Sequence, residues 1–142
     1  MINFSAGMKD TKFQLTASVL LWLGLISINT FAQFDPIETK QQVYNRINME
    51  REKIGMPAIP INKKLERSAQ SWARWMPPRL VHNTNFLKRF NRTGAECLTV
   101  GYDPVTNWMN SKPHRQSIMG RRVTAMGLGY WRGKWVWRSF TN

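Results

Sequence analysis

Met126-Gly127-Leu128-Gly129-Tyr130-Trp131, Arg132-Gly133 and Lys134-Trp135-Val136-Trp137-Arg138-Ser139-Phe140 make up the stretch on which the fold turns. Two apolar, aromatic-rich runs separated by a two-residue turn signal read as antiparallel strands joined by a tight turn. Gly127 and Gly129 leave one face of the first strand bare, which suits close approach of a helix or of a ligand. On the second strand Trp135 and Trp137 share a face and Val136 takes the other. That arrangement predicts at least one tryptophan exposed as a stacking or lipid-contact surface.

Upstream of this hairpin the period is helical. Asp103-Pro104 reads as the cap and first residue of a short helix through Trp108, and Pro113 starts another turn. Asn62 caps a helix in which Leu65, Ala69, Trp72, Ala73 and Met76 recur on one face, and Pro77-Pro78 ends it, since proline lacks the amide hydrogen. An earlier helix is predicted from Asp35-Pro36-Ile37-Glu38, with Asp35 as N-cap and Glu38 closing a capping box. It runs to Gly55 and buries a stripe of Val43, Ile47 and Ile54 flanked by Tyr44 and Arg51. Residues 79–95 are polar and irregular, and are expected to form a long surface loop carrying His82. Helices followed by a C-terminal antiparallel hairpin give an α+β layered domain, and 142 residues leave room for one core.

The N-terminal segment has a separate logic. Lys9 and Lys12 precede the apolar run Phe13 to Ile28, and Thr30 and Ala32 supply small residues before a cut. This is the order of a secretory signal, so residues 1–32 read as a signal peptide and 33–142 as the mature domain. The alternative, a retained anchor, has somewhat fewer than the roughly 20 apolar residues a spanning helix needs. Export implies a secreted or periplasmic protein. Removing residues 1–32 takes out two lysines and one aspartate, leaving 19 basic against 7 acidic residues. From Arg67 onward there are 13 basic residues and only two acids, Glu96 and Asp103. Such a surface favours polyanions, among them anionic lipid headgroups and acidic cell-wall polymers, and export argues against nucleic acid. Cys97 is the only cysteine, which rules out an intramolecular disulfide and suits a small buried residue better than a nucleophile.

His82 and His114 offer lone pairs and near-neutral titration, but 32 residues apart their spacing does not place them on one metal. Glu96 stands in the otherwise apolar Gly94-Ala95-Glu96-Cys97-Leu98, where a carboxylate needs a partner such as an arginine or a protonated histidine.

The order of the pieces then matters: Leu80-Val81-His82-Asn83, Ala95-Glu96-Cys97, the run Trp108-Met109-Asn110-Ser111-Lys112-Pro113-His114-Arg115, Met126-Gly127-Leu128-Gly129 and Trp137-Arg138-Ser139-Phe140. Across residues 37–140 this order resembles the short bacterial SCP-like branch of the CAP superfamily. The resemblance implies an α-β-α sandwich with a small antiparallel sheet between helical layers. It also implies a central cleft to which His82, Glu96 and His114 are carried over, together with Ser111 where many eukaryotic relatives place a second glutamate. Ala95-Glu96-Cys97 stands where the family usually reads Gly-Glu-Asn, and a single carboxylate weakens any mechanism that needs an acid-base pair. The leading functional expectation is a binding module, not an enzyme, for an envelope or extracellular ligand: a lipid, a wall polymer or a divalent metal. The second is a zinc-dependent hydrolase in which His82 and His114 hold the ion and Glu96 activates water. A third, an intracellular nucleic-acid binder, follows from charge alone and requires the leader to be misread.

Overall fold

The computed structural model describes residues 38–142. The signal segment and the Asp35-Pro36 cap lie outside the described residues. Helix α1 spans Lys40–Glu52, α2 Lys63–Trp75 and α3 Asn85–Phe90; strand β1 spans Thr93–Val100; α4 is Pro104–Asn110 and α5 Lys112–Ile118; β2 is Val123–Trp131 and β3 Lys134–Thr141.

Helix α1 starts later than the Asp35-Pro36 signature predicts. Thr39 is its cap: the Gln42 amide N–H donates to the Thr39 hydroxyl, and the Thr39 amide N–H donates to the Gln42 side chain at 2.7 Å. This reciprocal box satisfies two end donors from residues already adjacent. The helix also stops short, so Ile54 lies beyond it and is exposed, not part of the buried stripe. Arg51 takes the buried place instead. Its guanidinium donates to the carbonyls of Pro57, Ile118 and Gly120 at 2.9, 2.8 and 3.0 Å, tying α1 to the following loop and to the end of α5. The Asn62 cap is where the sequence puts it, its side chain accepting from Lys64 and Leu65.

The sheet has three antiparallel strands in the order β1-β3-β2. The expected hairpin is β2–β3, turned by Arg132 and Gly133 with φ of 46° and 80°, the mirror-image turn that matches strand twist. Residues 79–95 are not one irregular loop. They contain α3, and Thr93 to Ala95 already belong to β1.

As the middle strand, β3 is covered on both faces. On one side Trp135 and Trp137 pack with Cys97, Met126 and Leu128 beneath Val43 and Ile47 of α1, Val105 and Trp108 of α4 and Ile118 of α5. On the other, Val136 and Leu98 meet Ala69, Ala73 and Met76 around α2, and Phe140 meets Leu65 and Phe86. The layers are therefore α-β-α, and the class is α+β. Trp135 and Trp137 are fully buried, against the expectation of an exposed tryptophan on β3, because helices close both faces of a central strand. Among the described residues the exposed tryptophans are Trp75 and Trp131.

The outer edge of β2 is closed amide by amide, which removes a template for unwanted strand pairing. Met126 N–H donates to the Pro60 carbonyl at 3.0 Å, Leu128 N–H to the Tyr44 hydroxyl at 2.7 Å and Tyr130 N–H to the Gln70 side chain at 3.3 Å. Burial raises the Tyr44 phenol well above its ordinary pKa, so it stays neutral and free to accept and donate.

Candidate functional site

The register of β1 against β3 sets Glu96 directly opposite Arg138, on the face that α2 and α3 cover. Both side chains are buried, so each charge must be met inside the protein. Arg138 Nε and Nη2 reach Glu96 Oε2 at 2.8 and 2.7 Å, a two-pronged contact. Its remaining donors go to the carbonyl and hydroxyl of Ser68 on α2, at 3.0 and 2.5 Å, and to the carbonyl of Asn83 before α3, at 2.9 Å, and the guanidinium lies over the Phe86 ring at 4.3 Å. Burial pulls the Arg138 guanidinium below its ordinary pKa, with Glu96 acting in the opposite direction; an arginine remains cationic after such a change.

The other carboxylate oxygen, Glu96 Oε1, accepts from the Asn83 amide N–H at 2.8 Å and lies 3.0 Å from His82 Nδ1. The expected partner of Glu96 is thus both an arginine and a histidine. The sequence alone does not identify Arg138 as that arginine. Its signal was a charge alternating with Val136 and Phe140 on an apolar strand face, where only a buried counter-ion makes it tolerable.

His82 is more than half exposed at the outer flank of edge strand β1. His114 comes from the opposite side of that strand: its backbone carbonyl is 4.0 Å from Cys97 Sγ, on the α4–α5 face. Burial, and then the charge of His82, lower the His114 pKa, so the two rings sense one another around the β1 edge. Because the native protein binds this proton less readily than the unfolded chain, stability linked to His114 is complete above about pH 6.5. It is lost as pH falls through the lowered native value. His82→Gln is expected to move the His114 titration back upward, part of the way to its ordinary value; ring-proton shifts followed against pH read this, and an unmoved midpoint would uncouple the histidines.

Ser111 links α4 to α5 without a side-chain capping bond, and its hydroxyl makes no hydrogen bond to His82, Glu96 or His114. Cys97 is buried, and burial pushes its thiol up to about 12, so it is a packing residue. Among the described residues no three His, Cys, Asp or Glu side chains converge as ligands of a metal ion. The oxygens of Glu96 are already engaged by four groups, Arg138 Nε and Nη2 on Oε2 and the Asn83 amide and His82 Nδ1 on Oε1. This donor set does not fit a zinc centre with Glu96 as its base, since such a base needs a free lone pair for water.

Arg138, held in place by Glu96, lines the inner wall of a groove between α2 and α3. Two adjoining hollows of about 260 and about 440 Å³ share Ser68, Ser71 and Arg89; the first reaches Asn83 and Arg138, and the second reaches Lys64 and Arg67. No ion pair among the described residues engages Lys64, Arg67 or Arg89. The excess of base is legible in the sequence but its gathering here is not, since it requires the α2 stripe Lys64, Arg67, Ser68, Ser71 to face Arg89 of α3, in a stretch whose polar composition reads as loop.

The profile of a family described as CAP, the cysteine-rich secretory protein family, matches residues 44–137. A curated relative, the uncharacterized protein YkwD of Bacillus subtilis (strain 168), is 26% identical over 114 residues, which cover 69% of this chain and 44% of YkwD. The chain therefore matches less than half of that relative's length. Among solved structures, an extracellular protein containing a SCP domain from Bacillus anthracis superposes with a TM-score of 0.65 at 18% identity, over 72% of this chain and 40% of that one. An outer surface protein from Borrelia burgdorferi superposes with a TM-score of 0.60 at 19% identity, over 75% of this chain and 96% of that one. At such identities the likeness is one of fold.

Proposed function

The chain belongs to the CAP, or cysteine-rich secretory protein, family, and on that premise we propose that it is an exported binding module for an anionic component of the cell envelope or its surroundings. The observation that carries this reading is the state of Glu96. A carboxylate locked by Arg138, the Asn83 amide and His82 is a scaffold that positions the α2–α3 groove; it is not a proton carrier. Beside it stand cations with no acidic partner, which suits phosphate or carboxylate groups on a wall polymer or a lipid headgroup. Relatives described as extracellular or outer-surface proteins support reading residues 1–32 as an export signal. Among the described residues no helix is long and apolar enough to cross a membrane.

Titration with a soluble polyanion such as poly(glycerol phosphate) tests the reading. Binding should weaken steeply as salt rises from about 0.1 M to about 0.5 M, where screening shortens from about 10 Å towards a few Å. Arg67→Ser/Arg89→Ser should weaken it at least about tenfold and flatten the salt dependence. Binding that ignores both salt and these arginines would overturn the proposal. Stoichiometric zinc binding that disappears in His82→Ala/His114→Ala would replace it with the metal-dependent alternative.

A further inference from the structure

We propose that the end of the domain where α2 stops and the β2–β3 turn projects is a docking surface for the headgroup region of a bilayer that carries anionic lipids. The inference rests on the reading of the chain as an exported anion-binding module, and places a membrane contact beyond the end of the α2–α3 groove, with Trp75 at the border of the two.

Strand directions bring the parts together. β1 ends at Val100, β2 ends at Trp131 and β3 begins at Lys134, and these three residues stand in one row across the sheet. The row lies past the C-terminus of α2, where Lys134 Nζ donates to the Met76 carbonyl at 2.5 Å. The loop after β1 is held to the same turn, with Gly101 N–H donating to the Gly133 carbonyl at 2.9 Å. Of the eight exposed large hydrophobic residues among those described, four gather here: Trp75 at 81% exposure, Tyr102 at 66%, Val100 at 52% and Trp131 at 38%. Clustered apolar exposure marks an interaction surface, whereas scattered exposure does not.

Its chemistry selects the partner. Tryptophan and tyrosine are the residues that settle at the level of lipid headgroups, with an apolar body and a polar tip. The accompanying charges are basic: Arg74, Arg132 and Lys134. The one acid in the segments 72–81, 98–104 and 129–136 is Asp103, and Arg46 already engages it at 2.9 Å. Arg74 and Arg132 both lie over the Trp131 ring, at 5.3 and 5.6 Å from its centroid. Two guanidiniums within cation-π range of the ring compete with a sugar for it, and they place two cations beside the indole, where lipid phosphates would meet them. A bilayer surface therefore fits this end better than a glycan does.

The test uses the full chain as the cell exports and processes it. Cys97 is buried and unreactive, so Val100→Cys and, on α1, Met49→Cys can each be labelled alone with a polarity-sensitive dye. With vesicles of phosphatidylcholine and phosphatidylglycerol the dye at 100 should shift to the blue while the dye at 49 does not, and phosphatidylcholine alone should shift neither. Tyr102→Ser/Trp131→Ser should partition onto the anionic vesicles at least about tenfold more weakly, while still binding soluble polyanion like the parent, which also certifies its fold. Equal shifts at both positions, or undiminished partition of the double variant, would overturn the proposal. Vesicle binding lost in Arg67→Ser/Arg89→Ser but kept in the tip variant would overturn it too, leaving the anion-binding reading intact. Failure to bind vesicles and polyanion alike would bring down both.

Discussion

Arg138→Leu is expected to destabilise the domain by about 3–5 kcal/mol, the range for removing one member of a buried ion pair. Leucine takes away every donor that Glu96 Oε2 has, and that carboxylate has no exposed surface through which water could replace them. The carbonyls of Ser68 and Asn83 lose their donor in the same step. Against a typical total of about 5–15 kcal/mol, such a loss brings the domain close to unfolding, and urea denaturation of parent and variant measures it. The accompanying double variant Glu96→Leu/Arg138→Leu separates pairing from packing. Two apolar residues leave no buried charge, so the double change should destabilise less than Arg138→Leu alone, a coupling that a mutant cycle reports directly. If the double variant is as damaged as the sum of the singles, the two charges act independently and Glu96 is not held by Arg138. If Arg138→Leu costs under about 1 kcal/mol, the pair is not the scaffold of the groove.

What could be read from the sequence and what could not divides along the distance over which each cause acts. The Asn62 cap, the stop at Pro77-Pro78, the Asp103 cap and the Arg132-Gly133 turn are local devices, and each is where the sequence places it. Strand β1 is not local. Gly94, Ala95 and Glu96 have weak strand propensity, and they become a strand because β3 needs a partner on its second side. For the same reason the tryptophans of β3 are inside: no alternation within one strand tells whether one face or two will be covered. That Glu96 needed a positive partner followed from its apolar setting. That the partner is Arg138 required pairing across 42 residues. Helix α3 escaped because its anchor is a single buried aromatic, Phe86, packed under Phe140 and Arg138 from the far end of the chain. The two histidines are neighbours only by family resemblance in the sequence, and they come within electrostatic reach of one another because each packs against that same unforeseen strand.

The Gly-x-Gly of β2 yields the other large effect. Gly129→Ala should destabilise by at least about 3 kcal/mol, at or beyond the top of the usual range for overpacking, and the variant should accumulate poorly in soluble form. A methyl group at 129 would sit 2.2 Å from the Ala69 carbonyl oxygen and 2.3 Å from its carbon, and one at Gly127 would sit 2.3 Å from the Glu66 nitrogen. These neighbours are main-chain atoms of α2, which cannot swing aside as a side chain would. The spacing has a geometric cause. Two residues of strand advance about 6.7 Å and four residues of helix about 6 Å, so a helix running along β2 meets the strand again at each second residue, at Leu65–Glu66 over Gly127 and at Ala69–Gln70 over Gly129. The bare face of β2 therefore serves the helix, the first of the two uses open to it, and not a ligand. Gly133→Ala is the companion measurement. There the methyl meets nothing within 4 Å, and only the φ of +80° opposes it, so the loss should be about 1–2 kcal/mol. Thermal unfolding of the two variants should rank them in that order by a wide margin. A Gly129→Ala protein as stable as the Gly133→Ala one would mean that α2 can lift from the sheet, and with it the wall that carries Lys64, Arg67 and Ser68 into the groove.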